Sequence, residues 1–323
     1  MGDAFLPVAE NGMEALFYNP AALGHLTSIH SDPINITLSP NSNYMTNLGG
    51  SSLKFLNLPN YMGTLNTHPE AVIGAGGAVA PSVYGKGFGL GLLFENYRYA
   101  RVEGDEIQIK NHFQLIPAVG VGVSLAHGIV RMGYSAQLVN KAIADTQVKT
   151  DTNPTWDTNM KQGTAISHTV GYAFTLPFRY LPEFDVVARN IGAARFSNIS
   201  FLKAVAKGGT GAPENEPMTF DAALKMQPKI GGGVYINWVL ELRDFSRQSS
   251  ATLRQRLATG VEFAFRDTFY IRGGFGSGYP SAGLGLKRGH SEFSFAWYSQ
   301  EVGTGFQNHK DNRWMIQYRV GAF

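Results

Sequence analysis

Long stretches of this chain alternate apolar and polar side chains with a period of two, and that pattern constrains the fold more than any other feature. From Val234 to Leu242, one face carries Val234, Ile236, Trp238, Leu240 and Leu242, and the other carries Tyr235, Asn237, Val239 and Glu241. The same rhythm sets Phe88, Leu90, Leu92 and Phe94 against Gly89, Gly91 and Glu95, and Trp314, Ile316, Tyr318 and Val320 against Arg313, Gln317 and Arg319. A period of two belongs to strands with two unlike faces. Fourteen strands are predicted, at 30–38, 70–82, 87–101, 105–126, 129–149, 162–177, 181–190, 217–227, 230–244, 252–265, 268–277, 280–288, 290–301 and 311–322. Several reach about ten residues or more, against about five or six in soluble sheets, and about 9–11 tilted residues cross a bilayer.

The connections support a membrane-spanning barrel. Links after the even-numbered strands are short, such as Arg266-Asp267 and Arg288-Gly289, whereas several on the other side are long, about 39–69, 150–161 and 191–216. Outer-membrane barrels keep short turns on the periplasmic side, so an even strand count places both termini of the chain there. The charges of the strands fall on one face, among them Glu95, Arg131, Asp185, Arg189, Lys225, Glu241 and Glu262, while the opposite face is almost free of charge. A Lys or Arg facing lipid at mid-depth costs about 2–4 kcal/mol, so the uncharged face is the outer one. A soluble barrel or sandwich would need a second layer to cover fourteen apolar strand faces. No run of 18 apolar residues offers a helical span. The opening Met1-Gly2-Asp3 carries neither a basic nor an apolar leader region, so an exported form is expected to be mature. Cysteine is absent and the net charge is only +3, which excludes thiol chemistry and argues against nucleic acid as a partner.

The first residues differ from the rest. Ala9 to Tyr18 reads as a short helix ended by Asn19-Pro20, because the residue before a proline is pushed out of the helical region. The run AENGMEALFYNPAALG resembles the N-terminus of the FadL family of outer-membrane transporters for hydrophobic compounds, through Glu10, Asn11, Ala15, Asn19, Pro20, Ala21 and Leu23. The stretches ELRDFSRQ (241–248), YIRGGFGSGYPSAGLGL (270–286) and FSFAWYSQEVG (293–303) are similar to the PorV-type branch of the same superfamily. The resemblance implies a fourteen-stranded antiparallel transmembrane barrel, residues 27–323, with residues 1–26 as a hatch inside it. Asn19, Pro20 and Ala21 are then the hatch motif. Phe17, Tyr18 and Leu23 are candidates to line a path for an acyl chain or simply to pack the hatch on the wall.

The chain is short beside the better-known fatty-acid transporters, whose long outer region captures ligand. Here only 48–65 could serve, through Leu53, Phe55, Leu58, Tyr61 and Met62, as a capture site, a surface in the outer leaflet or a subunit contact. The eight histidines are scattered and none pairs at helical spacing, so no metal site, cofactor or catalytic set is expected. Glycine pairs such as Gly273-Gly274 sit inside alternating strands and read as close-packing positions, not phosphate loops. The segment from Asp151 to Asn159 reads as a solvated loop, with a calcium loop as its rival. Three functions stay open: passive binding or transport of fatty acids or other hydrophobic molecules across a bacterial outer membrane, a non-transporting barrel, or an open diffusion porin. The second would be a PorV-like carrier of a surface protein, or a homo-oligomer enclosing lipid. Membrane lipid or lipopolysaccharide is the expected surrounding in all three.

Overall fold

The computed structural model describes every residue except 10–11, 47–53, 69–70, 200, 202–210, 303–305, 308 and 323. Its wall is made of fourteen strands: β1 (His30–Pro40), β2 (Ile73–Val79 and, after a break, Ser82–Gly85), β3 (Phe88–Glu103), β4 (Glu106–Leu125), β5 (Val130–Lys149), β6 (Lys161–Thr175), β7 (Glu183–Arg189), β8 (Thr219–Met226, prolonged by Lys229–Gly231), β9 (Val234–Leu242), β10 (Leu257–Phe265), β11 (Phe269–Gly276), β12 (Tyr279–Arg288), β13 (Ser291–Glu301) and β14 (Lys310–Ala322). Each strand pairs antiparallel with its sequence neighbours, and β14 pairs with β1 through Ile34↔Val320 and Ile36↔Tyr318. The ring is therefore closed, and no sheet edge is left unpaired, which is what a strand architecture needs in lipid.

The two faces separate as the alternation predicts. Val119, Val121 and Val123 on β4 are 50%, 57% and 56% exposed on the outside, whereas Asp185, Glu241 and Arg313 on the inside are buried. Three boundaries differ most from the sequence reading. The strand read at 230–244 begins only at Val234, and its first residues prolong β8. Residues 252–256 do not begin a strand. Leu253–Arg256 forms a helical turn, and Thr252 and Gln255 make the reciprocal capping box that fixes its start. Strand β2 continues past 82, but Pro81 interrupts it, because a proline cannot donate to the ladder.

The barrel is taller on one side. Strands β4 and β5 run 20 residues each, whereas β10, β11 and β12 have 9, 8 and 10. On the tall side, near the long-loop rim, the outward face of β2–β4 is roofed by the helix Leu58–Asn66 and by Trp156. Phe55, Leu58, Tyr61, Leu65 and Trp156 form one buried cluster with Ile73, Ala100, Ile107 and Ile109. The Trp156 indole N–H donates to the Phe55 carbonyl at 2.9 Å.

Candidate functional site

Inside the barrel lies the N-terminal segment. It has three short pieces: a 3-10 turn at Leu6–Val8, a helix at Gly12–Phe17 and a second 3-10 turn at Pro20–His25. Helices this short do not hold themselves together in water, so their order comes from the wall. The wall meets them in two different ways.

Along β7–β9 the contact is ionic. Glu241 Oε2 accepts from the backbone N–H groups of Phe5 at 2.7 Å and Leu6 at 3.0 Å. Lys225 donates to the Pro7 carbonyl at 2.7 Å, and the Arg189 guanidinium donates to the carbonyls of Phe17 and Tyr18, both at 2.9 Å. Arg243 binds Asp3. These wall charges are also paired with one another: Arg189 with Asp221 at 2.6 Å, Lys225 with Glu183 at 3.2 Å, Arg131 with Glu183 at 2.6 Å and Arg243 with Glu241 at 2.9 Å. A segment without regular structure leaves backbone groups unpaired, and buried ones must find partners. The inward charges supply them.

Along β3–β6 the contact is steric. Leu16 and Leu23 are fully buried in a cluster with Ala15, Tyr84 and Ala118. The wall facing them is glycine. A side chain at Gly120 would press on both Leu16 and Leu23, and one at Gly91 on Leu16. A side chain at Gly133 would overlap the Pro20 carbonyl, and one at Gly171 the Asn19 side chain. At the far end, Gly260 and Gly274 leave room for Met1, and Gly276 for Gly2. The N-terminus is therefore not at the short-turn rim, where the even strand count placed both termini: the segment crosses the lumen and sets the first residue beside the turn after β11, and only the ends of the wall, at β1 and β14, lie at the short-turn rim.

Asn19 joins the two regions. It is 2% exposed. Its side-chain oxygen caps the second 3-10 turn by accepting from the Ala21 N–H at 3.1 Å. Its amide N–H₂ donates to the Leu6 carbonyl at 3.2 Å and to Asp185 Oδ2 at 3.1 Å. Pro20 follows at the first helical position, where its missing N–H costs nothing. Pro20 and Ala21 are buried, and Ala21 has no side chain long enough to strike the wall. Of the candidate path residues, Leu23 is buried in the cluster, Phe17 is partly buried between two clusters, and Tyr18 is 39% exposed, edge-on to Phe5. Leu53, Glu10 and Asn11 lie outside the described residues. Phe55, Leu58 and Tyr61 are buried on the outer wall, with Met62 packed beside them, so their apolar surface is already covered.

A wall pocket of about 790 Å³ lies next to the helix Gly12–Phe17. Its lining is almost wholly apolar and combines outward-facing Leu90, Leu92, Val119 and Leu138 with inward-facing Ser82 and Gln137. Three prolines border it: Pro33 on β1, Pro81 in the break of β2 and Pro117 on β4. Each deletes a ladder donor. Register shifts between Ser31 and Ile34 on the β14 side, and the β4–β5 pairing steps from Leu115↔Asn140 to Ala118↔Gln137 without partners for Pro117. The hatch touches the same residues from within. Gln137 donates to the Leu16 carbonyl at 3.0 Å, and Gly12 leaves no room for a side chain against Tyr84 and Ser82. The prolines were legible in the sequence as prolines within strand patterns; their alignment at one height was not.

No protein-family model matches the chain, and no curated protein matches it. Among solved structures, a Pseudomonas aeruginosa FadL homologue aligns over 99% of this chain and 96% of its own, with a TM-score of 0.53 at 9% identity. The Pseudomonas putida toluene transporter TodX aligns over 96% and 93%, with a TM-score of 0.51 at 8% identity. A TodX deltaS2S3 mutant, a monoaromatic hydrocarbon channel, aligns over 95% and 93%, with a TM-score of 0.53 at 10% identity. The fold is that of the FadL-type channels. The likeness spans nearly the whole of both chains although at most a tenth of the residues are identical.

Proposed function

We propose that this barrel sits in a bacterial outer membrane and passes a hydrophobic small molecule, a fatty acid or a comparable apolar compound, from its lumen sideways into the bilayer. The wall pocket beside the hatch carries this reading. It is apolar, it opens among lipid-facing side chains, and it stands where three prolines thin the hydrogen-bonded ladder. A molecule whose transfer to lipid is favourable needs no coupled energy source, only a path that avoids water. The hatch, residues 1–26, lies on the inner side of that path, and Leu16, Phe17 and Leu23 form its apolar border. The inward charges do not oppose this reading, because they are engaged with one another and with the hatch backbone.

Filling the pocket tests it. Ala136→Trp combined with Leu138→Trp places two indoles in the pocket from the lipid side without touching the hatch. Uptake of a labelled fatty acid and of a labelled arene by cells carrying the variant should fall several-fold while the barrel remains folded. Unchanged uptake of both would remove the lateral path. A second reading, a barrel that binds a surface partner and transports nothing, is favoured by how firmly the hatch is fastened. It predicts that deleting 1–25 leaves uptake of every hydrophobic compound where it was.

A further inference from the structure

The two rims of the barrel treat charge differently. On the inside, cations are paired: Arg131, Lys141, Arg189, Arg272, Arg313 and Arg319 each meet a carboxylate within 4 Å. The long-loop rim mixes the two signs, with Lys149, Lys161 and Lys310 among Asp151, Asp157 and Glu301. The short-turn rim is basic and unpaired. Its turns carry Lys86 between β2 and β3, Arg179 between β6 and β7, Arg266 between β10 and β11, and Lys287-Arg288 at the end of β12. The turns contribute one acid, Asp267, and it accepts a hydrogen bond from the Tyr235 hydroxyl. Lys86, Arg179, Arg266, Lys287 and Arg288 are exposed, and none is in an ion pair among the described residues.

The three arginines adjoin apolar or aromatic surface. Arg179 lies over the Tyr180 ring at 5.5 Å, next to Phe178, which is 64% exposed. Arg266 follows Phe265 in the chain, and the Phe265 ring pairs with that of Phe269. Arg288 ends a strand whose lipid-facing Leu284 and Leu286 are exposed. Such neighbours place the charge at the height where an aromatic girdle meets lipid headgroups. Arg266 also lines a rim pocket of about 410 Å³ with Gly231, Gly233, Val234, Tyr235 and Asp267.

The geometry points to a ring of headgroup contacts: the short-turn rim binds the phosphates of anionic phospholipids in the leaflet it faces, and the pocket at Arg266 is its most enclosed position. The distribution selects a lipid over a soluble acidic partner. The bases are spread over turns all around the barrel, and a leaflet meets the whole circumference, whereas a docked protein meets one sector. A basic side chain near an anionic surface contributes about 1 kcal/mol, roughly fivefold in binding, and the effect is screened by salt. The inference depends on the barrel standing in a bilayer and not on what passes through it.

The full chain, reconstituted in vesicles of equal phosphatidylglycerol and phosphatidylcholine, gives the test. Native mass spectrometry after gentle extraction reads the ratio of the two lipids that stay bound. The wild-type protein should retain phosphatidylglycerol at least about tenfold over phosphatidylcholine at low salt, and the excess should shrink in high salt. Lys86→Gln, Arg179→Gln, Arg266→Gln and Arg288→Gln together should bring the ratio to within about twofold of unity. Replacing the same three arginines by lysine keeps the charge, and should keep the preference. Equal retention of both lipids by the wild type overturns the proposal. So does a preference that survives the fourfold variant. A wild type indifferent to lipid charge whose rim instead captures a soluble acidic peptide would assign the bases to a protein partner and equally overturn it.

Discussion

The hatch meets two walls of unlike chemistry. Along β7–β9 it is held by charge: Glu241, Lys225 and Arg189 reach its backbone, and Asp185 receives Asn19. Along β3–β6 it is held by fit: Leu16 and Leu23 lie in a bed of glycines. The difference is one of range and tolerance. A charged side chain reaches backbone groups across several ångströms and holds them wherever they present a donor or acceptor. A glycine bed holds only a surface of matching shape, and it does so without polar atoms. The apolar pocket lies on the second wall, so a greasy molecule beside it need not displace an ion pair. The comparison teaches how one lumen can be charged and still border an apolar path.

Substitutions on each wall sharpen or break that comparison. The largest loss is expected from Glu241→Ala. It strips two hatch N–H groups and Arg243 of their acceptor, and removing one partner of a buried ion pair costs about 3–5 kcal/mol. Equilibrium unfolding in detergent measures it; a loss under about 1 kcal/mol would show that the ionic wall holds little. Next comes Leu16→Ala, which empties part of the glycine bed at a cost of about 2–4 kcal/mol. Differential scanning calorimetry reads that loss, and Gly120→Leu should also destabilise, by crowding where Leu16→Ala leaves a void. Asn19→Ala removes a cap and leaves Asp185 and the Leu6 carbonyl unpaired, for about 2–3 kcal/mol. Its specific mark is faster amide exchange in residues 1–25 with the wall strands unaffected; uniform exchange along the chain would deny Asn19 its role as a fastener. The smallest effect on stability belongs to Pro81→Ala, within about 1 kcal/mol. It restores a donor beside the pocket, and slower uptake without a change in unfolding would tie the break in β2 to the path.

Much of this fold could be read from residues alone, because alternation is a local signal. Strand β5 was expected at 129–149 and is found at Val130–Lys149, and β13 was expected at 290–301 and is found at Ser291–Glu301. The helical turn at Leu253–Arg256 escaped because Leu253, Gln255 and Leu257 also fit a period of two, and the local hydrogen bonds of Thr252 and Gln255 decide between the two patterns. The site was less legible. Asn-Pro marked the end of the first short helix, but the partners of Asn19 are separated from it by up to 166 residues. The wall glycines were visible as glycines, yet which ones face the hatch depends on register. Phe55, Leu58 and Tyr61 looked like an open apolar surface because Trp156, which helps cover them, comes about a hundred residues later and sits in a loop that offered no signal of packing.

The route of the N-terminal segment through the lumen has a consequence for assembly. Gly2 bonds to Ser281 across 279 positions of sequence, and Phe5 to Glu241 across 236. The segment precedes every strand, yet its ionic partners lie on strands in the second half of the chain. Its capture is therefore complete only once β9 and β12, which carry those partners, stand in the wall. Such long-range contacts form late and slowly, since chain entropy is spent before they are gained. The second half of the wall thus fastens the first residues of the chain.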